Sequence, residues 1–381
     1  MCAELASASE RRYPPTLMST ETSVTVTPPP RAGRLRGLAA NLLLSVVSVA
    51  VVLGGMEIVL RFAGFQTRGT WSAPCYQRVD DIGHLFVPGY QGSMYKGISS
   101  GWSDIPVRIN AHGLRGPEFP LAKPPGVQRV LVLGDSCTFG YLLPEEDAYT
   151  SQLQHLLDER RGAGKVHVIN AGVPGYGINN EAEFLEHRGL AFDPDAIVVT
   201  ASSGDIPDAG VRKNPDIDGE SVDMSRELRL YRFVRMSALM NFLQYLFFKV
   251  VVWSDPKMSL DHGLSATNPS PAVQEALRRY EQDFARVTEL ARAHGVPLLL
   301  LVYPGQLELF SDRTVVRDRW RALAEKYGVV FVDLLPSFKA ERLQKLYLPA
   351  DGHPTAEGNR LVAEAVAGTL ARVLPAAQSS S

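Results

Sequence analysis

Four consecutive apolar residues, Val130 to Leu133, run directly into Gly134-Asp135-Ser136. An unbroken β-branched and leucine run is how a strand buried on both faces of a parallel sheet reads. Its abrupt end puts a hydroxyl at the strand's carboxyl tip, the edge of an open α/β sheet where ligands bind. Helix-compatible sequence follows within a few residues, which would bring backbone N–H groups near Ser136. Taken alone, the same pattern equally suits an ordinary strand-to-loop turn in which Ser136 only caps.

From Arg129 onward strands and helices alternate. Strands are predicted at 129–133, 166–170, 196–201, 297–303 and 329–333, and helices at 148–161, 179–189, 271–294, 312–327 and 354–373. Such alternation implies an α/β fold, a doubly wound parallel five-stranded sheet with right-handed crossovers. Five strands suggest the flavodoxin-like order 2-1-3-4-5, with the first strand central and its tip at a switch point. One segment, 206–270, interrupts the pattern. Within it Arg229, Arg232 and Arg235 fall three apart and share a helical face. Leu239 to Trp253 is then strongly apolar. A helix packed on the domain is the favoured reading of that stretch, and an interfacial helix or lid is the sharper one.

Ahead of the alternating region the chain changes character twice. Residues 1–36 are rich in Ser, Thr and Pro and read as a disordered cytoplasmic tail. Leu38 to Met56 contains no charged residue, and 37–62 is long enough for a transmembrane signal anchor. Arg31, Arg34 and Arg36 precede it, predicting a single-pass protein with the N-terminus inside and the remainder outside the cytoplasmic membrane, in the periplasm. Leu60-Arg-Phe-Ala-Gly-Phe65 offers no clean small-x-small site for signal cleavage. Residues 63–125 read as a spacer with short strands packing on a domain that spans 126–375, and 376–381 as a disordered tail. Within the spacer, Asn110-Ala-His-Gly-Leu-Arg115 reads as a turn with a specific role.

A nucleophilic serine needs a base, and the base needs an orienting carboxylate. Eight histidines are present. His155 and His187 fall in predicted helices, His167 lies mid-strand, and His294 precedes Gly295 at a helix end. His84, His112 and His262 lie in irregular sequence with no expected partner at the sheet's carboxyl edge. His353 differs: it stands in Leu348-Pro-Ala-Asp351-Gly-His353-Pro-Thr-Ala-Glu-Gly358, after the last strand and before the last helix. Pro354 suits the first turn of that helix, and Asp351 can fold back across Gly352 towards the imidazole. A capping Asp beside a surface His is the plainer reading of the same residues.

Gly134-Asp-Ser-Cys-Thr-Phe-Gly140 resembles block I of the SGNH/GDSL hydrolases. Asn170-Ala-Gly-Val-Pro-Gly-Tyr-Gly177 is similar to their block II, and Asp351-Gly-His353 to their terminal Asp/His block in short-spaced form. A membrane anchor ahead of the domain is shared with many bacterial envelope members. The resemblance implies the three-layer SGNH fold. It also implies Ser136 as nucleophile, His353 as base and then acid, and Asp351 as the group holding the imidazole. The oxyanion donors it implies are the backbone N–H groups of Ser136 and Gly175. A third donor, an Asn side chain in block III, has no clear counterpart in Thr200-Ala-Ser-Ser-Gly-Asp-Ile-Pro-Asp208. One register puts Gly204 in that slot and the other puts Asp205 there; either Ser203, Asn179 or Asn180 substitutes, or the enzyme is slow, or the chain has lost the chemistry.

The function expected is a membrane-anchored extracytoplasmic serine esterase. An O-acyltransferase acting on an envelope polysaccharide and a non-catalytic glycan-binding protein are the alternatives. Expected partners are an acyl-ester or acetylated glycan substrate and membrane lipid through the N-terminal helix. A net charge of -2 gives no reason to expect nucleic acid. Three cysteines (Cys2, Cys75, Cys137) supply neither a disulfide framework nor a structural zinc ligand set, and no cofactor or metal is expected.

Overall fold

The computed structural model describes residues 31–62, 75–96, 103–202, 237–247, 266–304, 308–309, 311–312, 314–348 and 353–375. Residues 1–55 form one compact unit and 56–381 another. The described part of the first unit belongs to helix α1 (Arg31–Phe62), whose apolar side chains are exposed all round. From Arg36 to Phe62 the helix is long and apolar enough to cross a membrane. It begins earlier than the boundary expected at residue 37. Leu, Ala and Arg are strong helix formers, so the turns ahead of the apolar run join the helix once the Pro28-Pro29-Pro30 run is past.

In the second unit the sheet holds β5 (Gln128–Gly134), β6 (Val166–Gly172), β7 (Ala196–Ala201), β8 (Leu298–Val302) and β9 (Val330–Asp333). All pairs are parallel, in the order β6-β5-β7-β8-β9, which is the 2-1-3-4-5 order expected. Both faces are covered, because successive side chains of each strand point to opposite sides. Val130 and Val132 enter a core shared with α3 (Tyr149–Arg161) and the last helix, α10 (Ala356–Val373). Leu131 and Leu133 enter the opposite core with α4 (Ile178–His187) and α6 (Pro271–Ala293). These four β5 residues are essentially inaccessible to water, each burial stabilising the fold by about 1.5–3 kcal/mol.

Two antiparallel hairpins precede the sheet: β1 (Tyr76–Val79) with β2 (Gly83–Phe86), and β3 (Gln91–Lys96) with β4 (Ser103–Arg108). Ile82, Phe86, Met94, Ile105 and Val107 belong to the same core as Leu131 and Leu133. Among the described residues the remaining α-helices are α2 (Ser136–Phe139), α5 (Ala238–Phe247), α7 (Val315–Tyr327), α8 (Leu335–Lys339) and α9 (Leu343–Leu346).

Within the second unit, two helix starts differ from expectation by two residues or more. Helix α7 begins at Val315 rather than 312. Helix α10 begins at Ala356, leaving Pro354 outside its first turn: the Thr355 side chain caps the helix by accepting from the Gly358 amide at 3.1 Å. Pro354 instead bridges Tyr347.

Candidate active site

The chain leaves β5 through Gly134, at φ +158, and turns at once into α2. A Cβ at Gly134 would lie 2.8 Å from the Thr138 Cβ, so the turn closes only around hydrogen. Gly172 at the tip of β6 does the same from the other side, where a Cβ would stand 2.7 Å from the Thr138 carbonyl carbon. Asp135 caps α2, its Oδ1 accepting from the Cys137 amide at 2.8 Å. Burial of that carboxyl raises its pKa, against the Cys137 amide and the nearby His353, which pull it down. Ser136 is the first residue of α2 and is only partly buried. Cys137 is likewise half-buried rather than enclosed.

His353 reaches Ser136 from a different element. Leu348 donates from its amide to the His353 carbonyl at 2.8 Å, and the Thr355 amide donates to the Leu346 carbonyl at 2.8 Å. This clasp closes the loop before α10 and sets His353 Nε2 2.8 Å from Ser136 Oγ. With Nε2 unprotonated, the serine hydroxyl donates and the imidazole accepts. The Tyr141 ring packs against the imidazole, with centroids 4.8 Å apart. Asp351 and Gly352, together with Ser203, Gly204 and Asp205 of the third block, lie outside the described residues.

The loop after β6 brings Gly175 to the same edge. Gly175 is exposed and holds φ +86, a left-handed conformation that glycine adopts without penalty. Its neighbours are pinned by the β1–β2 hairpin. His84 Nε2 lies 3.4 Å from the Pro174 carbonyl, the Tyr176 hydroxyl donates to the His84 carbonyl, and Asn180 Nδ2 donates to the Ile82 carbonyl at 3.0 Å. His84 therefore does meet the sheet's carboxyl edge, contrary to expectation, because the hairpin folds back over β6. The Asn180 amide is committed to the hairpin, which weighs against it as a stand-in for the block III Asn. Asn179 Oδ1 is buried with no hydrogen-bond partner among the described residues.

The turn at 110–115 acquires its role here. Asn110 Oδ1 accepts from the His112 and Leu114 amides at 2.9 and 3.1 Å, shaping a tight loop that aims Arg115 inward. The buried guanidinium donates to the carbonyls of Phe139, Gly140 and Leu143 at 2.8–2.9 Å and lies over the Phe139 ring. Burial lowers its pKa to about 10, partly offset by Glu145 and Glu146. Arg115 thus fastens the far end of the helix that starts at Ser136. Beneath that helix a buried hydroxyl chain runs from Thr138 Oγ1 through Tyr149 to Thr200, at 3.2 and 2.8 Å. No short motif announces either device; the polar pattern at 110–115 was the only signal.

Among the described residues, one surface group, Glu183, Glu186 and His187, gathers metal-type ligand atoms within 4.8 Å. Both carboxylates already pair with Arg286, which offsets part of their charge.

No curated protein matches the chain in sequence. Similar solved structures include TesA (18% identity, TM-score 0.41, covering 65% of this chain and 100% of that one). A lipase/acylhydrolase from Enterococcus faecalis is similar at 13% identity and TM-score 0.40, covering 66% and 100%. The acetyl xylan esterase AlAXEase is similar at 16% identity and TM-score 0.38, covering 64% and 99%. Residues 132–361, more than half of the chain and the whole span from β5 into α10, match the GDSL-like Lipase/Acylhydrolase family. With a serine at the tip of the central strand in hydrogen-bond contact with a histidine from the far end of that span, the chain belongs to this family and is an ester-bond hydrolase.

Proposed function

We propose that the protein is a membrane-anchored serine esterase whose catalytic unit works outside the cytoplasmic membrane, with Ser136, His353 and Asp351 as its triad. The observation that carries the reading is the 2.8 Å contact between Ser136 Oγ and His353 Nε2, made across 217 residues of sequence. In the first step Ser136 Oγ attacks the acyl carbonyl carbon while His353 Nε2 takes the hydroxyl proton. The imidazolium then gives that proton to the departing alkoxide oxygen as the ester C–O bond breaks. Water next attacks the acyl-serine, losing its proton to His353, and the proton returns to Ser136 as the carboxylic acid leaves. Asp351, two residues from His353, is assigned to the Nδ1 side of the imidazole. The amides of Ser136 and Gly175 are assigned to the oxyanion, with Gly204 marking the slot of the third donor.

The anchor is α1. Its three leading arginines favour an N-terminus inside, and the absence of charge from Leu38 to Met56 suits the hydrocarbon core. Fusions after Ser381 in bacterial cells test this arrangement together with activity. A periplasm-dependent reporter should be active, and the cells should hydrolyse a short-chain chromogenic ester in a Ser136-dependent way. Activity of a cytoplasm-dependent reporter at that position would overturn the topology.

A further inference from the structure

Glu57 sits in the penultimate turn of α1, the only acidic residue from Arg31 to Phe62. A carboxylate there needs partners, and an ionisable residue at the end of an apolar span is worth tracing to them. Its two oxygens accept from the Ser237 hydroxyl at 2.9 Å, the Ala238 amide at 2.8 Å and the Leu239 amide at 3.0 Å, and from Arg61 Nε at 2.8 Å. The first turn of a helix carries amides with no partner inside the helix, and a carboxylate satisfies them with favourable charge. Glu57 therefore fastens the start of α5 to the last turns of α1, 180 residues away in sequence.

Helix α5, Ala238-Leu-Met-Asn-Phe-Leu-Gln-Tyr-Leu-Phe247, contains no charged residue. Ala238 is buried, whereas Met240, Leu243 and Leu246 are 42%, 47% and 37% exposed. Spaced three apart, they form one row along the helix. Next to Glu57, α1 exposes Ile58, Val59 and Phe62. Ten residues make roughly 15 Å of helix, about half of what spanning a bilayer needs. An uncharged helix with an apolar row, tied to the end of an apolar span and too short to cross, suits the boundary between headgroups and acyl chains.

We propose that α5 is a second membrane contact: its Met240–Leu243–Leu246 face lies in the acyl–headgroup boundary of the bilayer that α1 crosses, held at that depth by Glu57. This rests on the reading of α1 as the anchor. The contact would hold the catalytic unit against the membrane by two points rather than by a single tether.

Full-length protein in phospholipid nanodiscs, carrying the photo-crosslinker p-benzoylphenylalanine at one position at a time, tests this directly. Leu44, within α1, reports the anchor; Leu243 reports α5; exposed Leu121 is the control. Lipid adducts at Leu44 and Leu243 but not at Leu121 are expected, with retained esterase activity verifying the fold. Glu57→Ala should lower the Leu243 adduct roughly fivefold or more, as loss of a charge-assisted cap implies, and leave the Leu44 adduct unchanged. Lipid adducts at Leu44 with none at Leu243, or a Leu243 crosslink to protein in place of lipid, would overturn the proposal and leave the anchor standing. Absence of lipid adducts at Leu44 would remove the anchor reading, and this proposal with it. A Leu243 adduct unaffected by Glu57→Ala would overturn the assignment to Glu57.

Discussion

Each end of β5 is finished by a buried arginine whose guanidinium donates to main-chain carbonyls. At the amino end Arg129 serves Pro120, Leu121, Ala122 and Phe192; at the carboxyl end Arg115 serves Phe139, Gly140 and Leu143. Each lies beside a phenylalanine ring, Phe119 for one and Phe139 for the other, and burial lowers the pKa of both. The local chemistry is nearly the same, yet the carbonyls differ in what they belong to. Those around Arg129 close loops beneath the sheet, whereas those around Arg115 end the short helix that begins at Ser136, the proposed nucleophile. A similar device thus closes loops at one edge and, on the proposed function, sets the position of the nucleophile at the other. Substitutions at the two ends should separate accordingly.

The largest separation is expected from the arginines themselves. Lysine keeps the charge but cannot reproduce the planar fork, so each Arg→Lys change leaves carbonyls unsatisfied at about 1–3 kcal/mol apiece. Both variants should melt several degrees lower. Only Arg115→Lys should also lower kcat, by about 10–100-fold with KM little changed, because a small displacement of Ser136 is costly in the transition state. Equal kcat losses in the two variants would erase the distinction.

Asp135 gives a smaller effect with a pH signature. Burial raises its folded-state pKa, so between the unfolded and folded values the native protein binds the greater share of the proton. Its contribution to stability is present below the ordinary carboxylate range and is lost as pH rises through the folded value. Asp135→Asn, which can still accept from the Cys137 amide, should therefore raise Tm at pH 8 and gain progressively less as pH falls towards 4. Thermal melts of both proteins across that range provide the check; a gain that grows on acidification would reverse the sign.

The smallest contrast lies between two left-handed glycines. Gly126, just before β5, has φ +75 and Gly175 has φ +86, and an added Cβ would meet nothing within 4 Å at either. Alanine should cost about 1–2 kcal/mol at each from backbone strain alone. Gly175→Ala should in addition lower kcat, since relief of that strain moves the loop carrying its amide; Gly126→Ala should not. Matched melts and ester kinetics on the pair would show it.

How much of this is readable in the sequence follows the same division between local and distant causes. The sheet was legible because Val130–Leu133, Ile197–Val199 and Leu298–Val302 are apolar runs whose burial on both faces leaves a one-dimensional pattern. The meeting of Ser136 with His353 was legible because strand-tip and helix-entry sequences carry local punctuation. Arg115 was not, since a guanidinium seeking carbonyls 24 to 28 residues onward leaves no periodicity and no partner side chain to look for. His84 was passed over because its role depends on a hairpin folding back 90 residues onto Pro174. The start of α10 was misjudged in favour of Pro354, where a clasp with residues 346–348 and the Thr355 cap decide the boundary instead.

Covalent labelling of the full-length protein by a fluorophosphonate tests, without any assumption about substrate, whether Ser136 is a nucleophile activated by His353. Wild type should form a single adduct, on Ser136. Ser136→Ala should form none, and His353→Ala should label more slowly by about 10³-fold or more, as loss of a triad base does. Undiminished labelling in a folded Ser136→Ala protein, or no labelling of folded wild type, would contradict the account.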